Sequence, residues 1–263
     1  VSLKYHYDPR PGHTRLVKPG DGGLRFIEFG VLRLEPGKSH DSTTDEREAF
    51  LVLLGGDCTV EAGGQRWTMR RENVFRQRAS AVYLPPGLAF QVAANGLTEV
   101  AVALGPADQP GELRYVGPDD VRVNLRGTPP YQREVHDIAV NDFPAGRLLV
   151  GETFNFPGQW SSYPPHKHDE MDPPAEYRLE EVYYYQVDPP QGFGLQWLYT
   201  RDGSLDEAHA VRQNDLTILP KGHHPVAAAP GYSVYYLWVL AGDVRTMSLR
   251  DDPDHAWVKN PGS

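Results

Sequence analysis

The chain has 263 residues and a formal net charge of −9, enough length for one large or two ordinary domains and the wrong sign for a nucleic acid or an anionic membrane as main partner. With 24 Pro and 26 Gly among short runs of Val, Tyr, Phe and Trp, the composition favours many strands joined by tight turns over long helices. The single cysteine, Cys58, excludes an internal disulfide and suits a reducing compartment. It lies in an apolar run and reads as an ordinary buried strand residue.

The opening residues, Val1 to Pro9, lack a signal peptide's hydrophobic stretch, and no apolar run approaches a membrane span, so a cytoplasmic protein is expected. The next elements occur twice. Phe29 to Gly37 and Val150 to Gly158 both read as a strand running into a Pro-Gly turn. Glu48 to Leu53 pairs in this scheme with Glu181 to Gln186, with Glu48 as the counterpart of Glu181. The turn Leu84-Pro85-Pro86-Gly87 pairs with Leu219-Pro220-Lys221-Gly222. Each copy closes on an apolar strand, Val100 to Leu104 and Tyr235 to Leu240. The pattern predicts an all-β chain made of one barrel unit duplicated, with the first unit over residues 1–120 and the second over 121–263. Pro106 to Pro130 is rich in Pro, Gly and Asp and serves as connector, where Pro118-Asp119-Asp120-Val121 is expected to cap a short helix.

The copies differ where chemistry would sit. Pro164-Pro165-His166-Lys167-His168-Asp169 places two imidazoles one residue apart, on one face of a strand because side chains alternate. Glu181, on the following strand, and a histidine after the Gly222 turn would complete a nitrogen and oxygen set suited to a divalent transition metal. His223 and His224 face opposite ways on a strand, and His224 is the preferred ligand. The first copy has Ser39-His40-Asp41-Ser42-Thr43 and Leu88-Ala89-Phe90 at these places, so its unit is expected to lack metal and to serve structure or dimer formation. Alternation puts Tyr183 and Tyr185 on the Glu181 face, as pocket or core aromatics. The acidic segment Asp169 to Arg178, absent from the first copy, reads as a solvated loop or as a lid over the site.

The strings Trp160-Ser161-Ser162-Tyr163-Pro164-Pro165-His166-Lys167-His168-Asp169, Leu179-Glu180-Glu181-Val182-Tyr183-Tyr184-Tyr185, His224 to Tyr232, Tyr235 to Trp238 and Asp252 to Trp257 resemble the two-barrel cupins, and within them the 5-deoxy-glucuronate isomerases of inositol breakdown. The resemblance implies two tandem cupin-type β-barrels (a bicupin) with short connecting helices, and a metal-dependent aldose–ketose isomerase that converts 5-deoxy-glucuronate into 2-deoxy-5-keto-gluconate. It departs from the general cupin pattern in the wide gap between His168 and Glu181 and in the short step from Gly222 to His224.

The expected ligands are His166, His168, Glu181 and His224. Zinc is the expected ion, and manganese or iron also suits such a set. Tyr183, Tyr185, Lys167 and Glu152 are the candidates to move a proton. Lys167, Arg178, Arg201, Arg212 and Lys221 are the cations near the site in sequence that a small anionic sugar acid could meet. A homodimer or larger homo-oligomer is expected. Two other readings use the same residues: an iron-dependent cupin dioxygenase, separable by oxygen consumption, and a non-catalytic sugar-binding cupin, in which loss of Glu181 would leave binding intact.

Overall fold

The architecture described here is that of a computed structural model, which describes residues 2–107, 109 and 111–259. It is almost entirely β. Among the described residues, regular helix is limited to the single 3-10 turns Asp21–Gly23 and Ala256–Lys259. The connector helix expected at residues 118–121 does not form, because the Asp120 carboxylate accepts the Gly117 N–H at 2.9 Å and folds the segment into a turn.

Strands from the first half form one hydrogen-bonded system in which the 16-residue strand Arg47–Ala62 serves two faces. Its first part pairs with Ala81–Leu84 and Thr98–Pro106, its second with Gln65–Arg71 and Ala89–Ala94, and the register shifts between Leu53 and Gly55. Leu32, Leu51, Leu53, Val60, Val82 and Val92 pack between those faces as a separate core. In the second half a seven-stranded sheet runs, in spatial order, Lys4–His6, Asp215–Leu219, Leu179–Asp188, Ser233–Gly242, Leu149–Asn155, Arg133–Ala139 and Arg122–Arg126. A four-stranded sheet, Trp160–Ser161, Val226–Ala228, Gly194–Tyr199 and Asp206–Val211, accompanies it, and the short strand His166–Lys167 pairs with Arg250–Asp251.

The halves meet through the apolar backs of their larger sheets. Alternation sends Val182 and Tyr184 to this seam, where Tyr184 lies 5.6 Å from the ring of Phe29 and joins one core with Phe50, Val52, Ala101, Leu216 and Ile218. Three further devices tie the seam. The strand Lys4–His6 belongs to the first half in sequence and to the second half's sheet in space. Arg71 crosses to Glu152, with both side chains fully buried. Two carboxylates also act reciprocally. Glu48 accepts the N–H groups of Gly146, Arg147 and Leu148 at 2.6 to 2.7 Å, just ahead of the strand Leu149–Asn155. Glu180 accepts those of Arg25, Phe26 and Ile27 at 2.7 to 2.8 Å, just ahead of Glu28–Leu34.

This reciprocity shifts the repeat by one residue. Glu48 lies opposite Gly105 and Glu180 opposite Ala241, whereas Ala49 lies opposite Leu104 and Glu181 opposite Leu240. Glu48 therefore corresponds to Glu180, and the position of Glu181 is held in the first half by Ala49.

Candidate metal centre

His168, Glu181 and His224 converge inside the second half, their ligand atoms all within 4.8 Å of one another and all three residues buried. Glu181 is inward because the strand Leu179–Asp188 turns odd-numbered residues away from the seam. Its Oε2 lies 3.0 Å from His168 Nε2 and 3.5 Å from His224 Nε2. Each imidazole is oriented from behind, since His168 Nδ1 donates to the Leu179 carbonyl at 2.9 Å and His224 Nδ1 to the Gly222 carbonyl at 3.0 Å. Those bonds aim both Nε2 atoms at the shared point, the arrangement by which outer hydrogen bonds prepare histidines for a metal. His224 Nε2 is buried with no hydrogen-bond partner, an orphaned acceptor that a cation would satisfy. His166, half-buried on the short strand, stands edge-on to His224 with ring centroids 4.7 Å apart, and lies outside the tight trio.

Ligation needs neutral imidazole and ionised carboxylate, and His224 and His166 meet that need, while His168 and Glu181 are held to each other as a hydrogen-bonded pair. Burial, then the neighbouring His168, brings His224 down to about 3. Burial followed by His224 and His168 holds His166 well below the usual range. For His168, burial acts downward but is outweighed by the hydrogen bond and charge of Glu181, and the net direction is up. Burial raises Glu181, against the hydrogen bond from His168. The donor set of two imidazoles and one carboxylate, with a third imidazole beside them, fits a divalent transition metal.

The Gly222 turn places the last histidine. Its φ of +83° and the Tyr199 carbonyl, which an added Cβ would approach to 2.4 Å, both require glycine there. Asp169 Oδ2 accepts the Gly222 N–H at 2.7 Å and braces the same turn. His223 faces the other way, its ring stacked on Tyr199 at 4.9 Å and its backbone paired with the same residue.

The cleft beside the trio is lined by His166, His168, Glu181, Ser162, Tyr183 and Tyr236, by the apolar Val135, Trp238, Leu240, Met247 and Leu249, and by Arg126, Arg133 and Thr153. Of the four proton-moving candidates, the structure brings only Tyr183 to it. Tyr183 stacks on Tyr236 at 4.3 Å, and its hydroxyl lies 3.2 Å from Ser162 Oγ, which in turn is 3.3 Å from the Tyr236 hydroxyl. Tyr185 is fully buried one pleat deeper and does not line the cleft. Lys167 projects from the opposite face of its strand, as alternation between His166 and His168 requires, into Asp169 at 2.6 Å and Glu176 at 3.0 Å. Glu152 points into the seam, accepting from Arg71 and from the Tyr235 hydroxyl at 2.7 Å.

The acidic segment 169–178 does not line the cleft. The buried carboxylate of Glu176 gathers it by accepting the N–H groups of Asp169 and Glu170, and of its two readings, loop or lid, the lid finds no place at this cleft, whose apolar wall includes Met247 and Leu249. The cations of the cleft are Arg126 and Arg133 rather than the five nearest in sequence. They come from strands added at the far edge of the sheet.

The cleft can hold a small polar ligand between a cation site, a hydroxyl group and two guanidinium groups. A protein-family model described as the KduI/IolB family matches residues 7–258. A protein of Geobacillus thermodenitrificans named 5-deoxy-glucuronate isomerase is 41% identical over 259 residues, covering 97% of this chain and 94% of its own. The crystal structure of an IolB-like protein from Salmonella typhimurium superposes with a TM-score of 0.94 at 37% identity, over 98% of this chain and all of that one. A cupin barrel protein of Leptotrichia buccalis, 10% identical with a TM-score of 0.54 over 90% of this chain and 92% of that one, shares the fold alone. The chain belongs to the KduI/IolB family.

Proposed function

We propose that this protein is a metal-dependent aldose–ketose isomerase that converts 5-deoxy-glucuronate into 2-deoxy-5-keto-gluconate in inositol breakdown. The observation that carries the reading is near-full-length identity, 36 to 41%, to proteins named 5-deoxy-glucuronate isomerase, joined to a buried trio whose ligand nitrogens converge beside a cleft. A fold of this kind hosts many activities, so the fold alone would not support it.

The reaction moves a proton between neighbouring carbons and leaves the oxidation state of the whole molecule unchanged. A divalent cation held by His168, Glu181 and His224, with His166 beside them, would supply Lewis acidity toward the carbonyl and hydroxyl oxygens of the sugar. Zinc is the ion proposed, and manganese or iron suits the same donors. Burial, and then the charge of Glu181, hold the Tyr183 hydroxyl well above the usual range. It therefore keeps its proton at neutral pH and serves as a hydrogen-bond donor to a substrate oxygen. Ser162 and Tyr236 extend that hydroxyl into a chain that fixes its direction. Val135, Trp238, Leu240, Met247 and Leu249 keep water from the reacting carbons. The first half, with Ala49 at the position of the carboxylate ligand, has a structural role in this proposal. The same proposal includes a cytoplasmic location and a homo-oligomer.

The test is metal content and turnover of 5-deoxy-glucuronate for wild type and for the double variant His168→Ala, His224→Ala. About one ion per chain together with isomerisation, both lost in the variant, is expected. Full turnover by the metal-free variant would overturn the metal-dependent reading, and oxygen consumption without isomerisation would replace it with an oxygenase.

A further inference from the structure

Arg126 and Arg133 occupy directly opposed positions on neighbouring antiparallel strands and both line the cleft. Many arginines in this acidic protein are paired with acids, among them Arg25 with Asp243, Arg33 with Glu99, Arg122 with Asp142 and Arg250 with Asp172. These two differ. Among the described residues neither has a carboxylate within ion-pair reach, and Arg133 Nη1 donates only to the carbonyls of Tyr131 at 3.3 Å and Tyr163 at 3.1 Å. Those two bonds hold the half-buried guanidinium in place and leave its other donors unassigned. The one acid lining the cleft is Glu181, which is turned to His168 and His224. Arg133 also acts electrostatically on His166, Tyr183 and Tyr236, so it belongs to the same space as the trio. Two guanidinium groups facing one cavity without an internal acid can take an external anion, and planar forks of this kind match a carboxylate.

From this geometry we infer that Arg126 and Arg133 form the seat for the carboxylate of the sugar acid in the cleft beside the metal trio, and so select acidic over neutral aldoses. The inference rests on the isomerase reading for the identity of the substrate, and its test separates the two. Metal-loaded wild type, Arg126→Gln and Arg133→Lys are compared in turnover of 5-deoxy-glucuronate, and in calorimetric binding of gluconate against glucitol, an acid and a neutral polyol that cannot isomerise. Arg126 is exposed on the edge strand, so its variant is expected to fold even if changes at Arg133 disturb the Tyr131 and Tyr163 carbonyls.

Loss of a charge-assisted pair predicts a KM raised about tenfold to a hundredfold with kcat changed far less, because the carboxylate lies away from the reacting carbons. The preference for gluconate over glucitol should disappear in parallel. A wild type that prefers gluconate through these arginines but does not isomerise would keep the seat and overturn the isomerase reading. An isomerase whose KM and gluconate preference survive Arg126→Gln would overturn the seat and keep the reading.

Discussion

Replacing Glu152 by Gln separates a stabilising role from a catalytic one. In the native protein its carboxylate is fully buried and accepts from Arg71 Nη1 at 2.7 Å, from Arg71 Nη2 at 3.0 Å and from the Tyr235 hydroxyl at 2.7 Å, with His136 Nδ1 at 3.7 Å. Burial alone would raise its pKa, but Arg71 and the hydrogen-bond donors outweigh burial and bring it down from 4.5 to about 2. That separation corresponds to about 3 kcal/mol at neutral pH. Leaving the buried Arg71 without its anion costs about 3 to 5 kcal/mol on general grounds, so the two routes agree.

At about 2 to 4 °C per kcal/mol for a chain of this size, Tm should fall by roughly 6 to 20 °C. The assay is thermal unfolding at pH 7 by circular dichroism, together with metal content and kcat well below the new Tm, both of which should be unchanged. Because the folded pKa is depressed, the contribution is present above pH 4.5 and is lost as pH falls toward 2. The gap between wild type and variant should close over that window. A Tm unchanged within about 2 °C, or a collapse of kcat in a fully stable variant, would refute the argument, and the second result would return Glu152 to the catalytic group.

Three other outcomes are expected. In Gly151→Ala the new Cβ would lie 2.1 Å from the Trp238 ring and 2.5 Å from the His136 carbonyl, so about 1 to 3 kcal/mol of stability should be lost and KM should rise as the indole moves into the cleft, measurable by steady-state kinetics. Glu180→Ala removes the acceptor of three backbone N–H groups at the seam and should cost about 3 kcal/mol or more in urea unfolding, with bound metal unchanged despite its position beside Glu181. Tyr183→Phe should lower kcat about a hundredfold while retaining the ion by elemental analysis, and an unaltered kcat would remove its hydroxyl from the chemistry.

The readable part of this molecule was its alternation and its turns. His168, Glu181 and His224 could be grouped because each follows a local rule: strand parity for the first two, and a glycine turn for the third. The same parity already sends Lys167 away from His166 and His168, and should have removed it from the proton-moving candidates. Glu152 was a harder case, since only the fold reveals that Arg71, 81 positions earlier, crosses the seam to meet it. The repeat was offset by one residue because the doublet Glu180-Glu181 offers two partners for Glu48, and hydrogen bonds to a distant loop decide between them. Arg126 and Arg133 were invisible for a similar reason. Their nearness to His166 depends on how many strands the sheet adds beyond Leu149–Asn155, and no local pattern encodes that number.

The reciprocal grips of Glu48 and Glu180 bear on whether either half could stand alone as well as on stability. Here the first copy holds the loop that leads into the strand of the second, the second returns the hold, and the N-terminal strand Lys4–His6 completes a sheet it does not belong to by descent. Deleting the first half would leave the second with an exposed apolar back, an unanchored entry and a missing edge. Interlocking of this kind makes the two halves one folding unit, so a truncation that removes either half is expected to leave the other unable to fold alone.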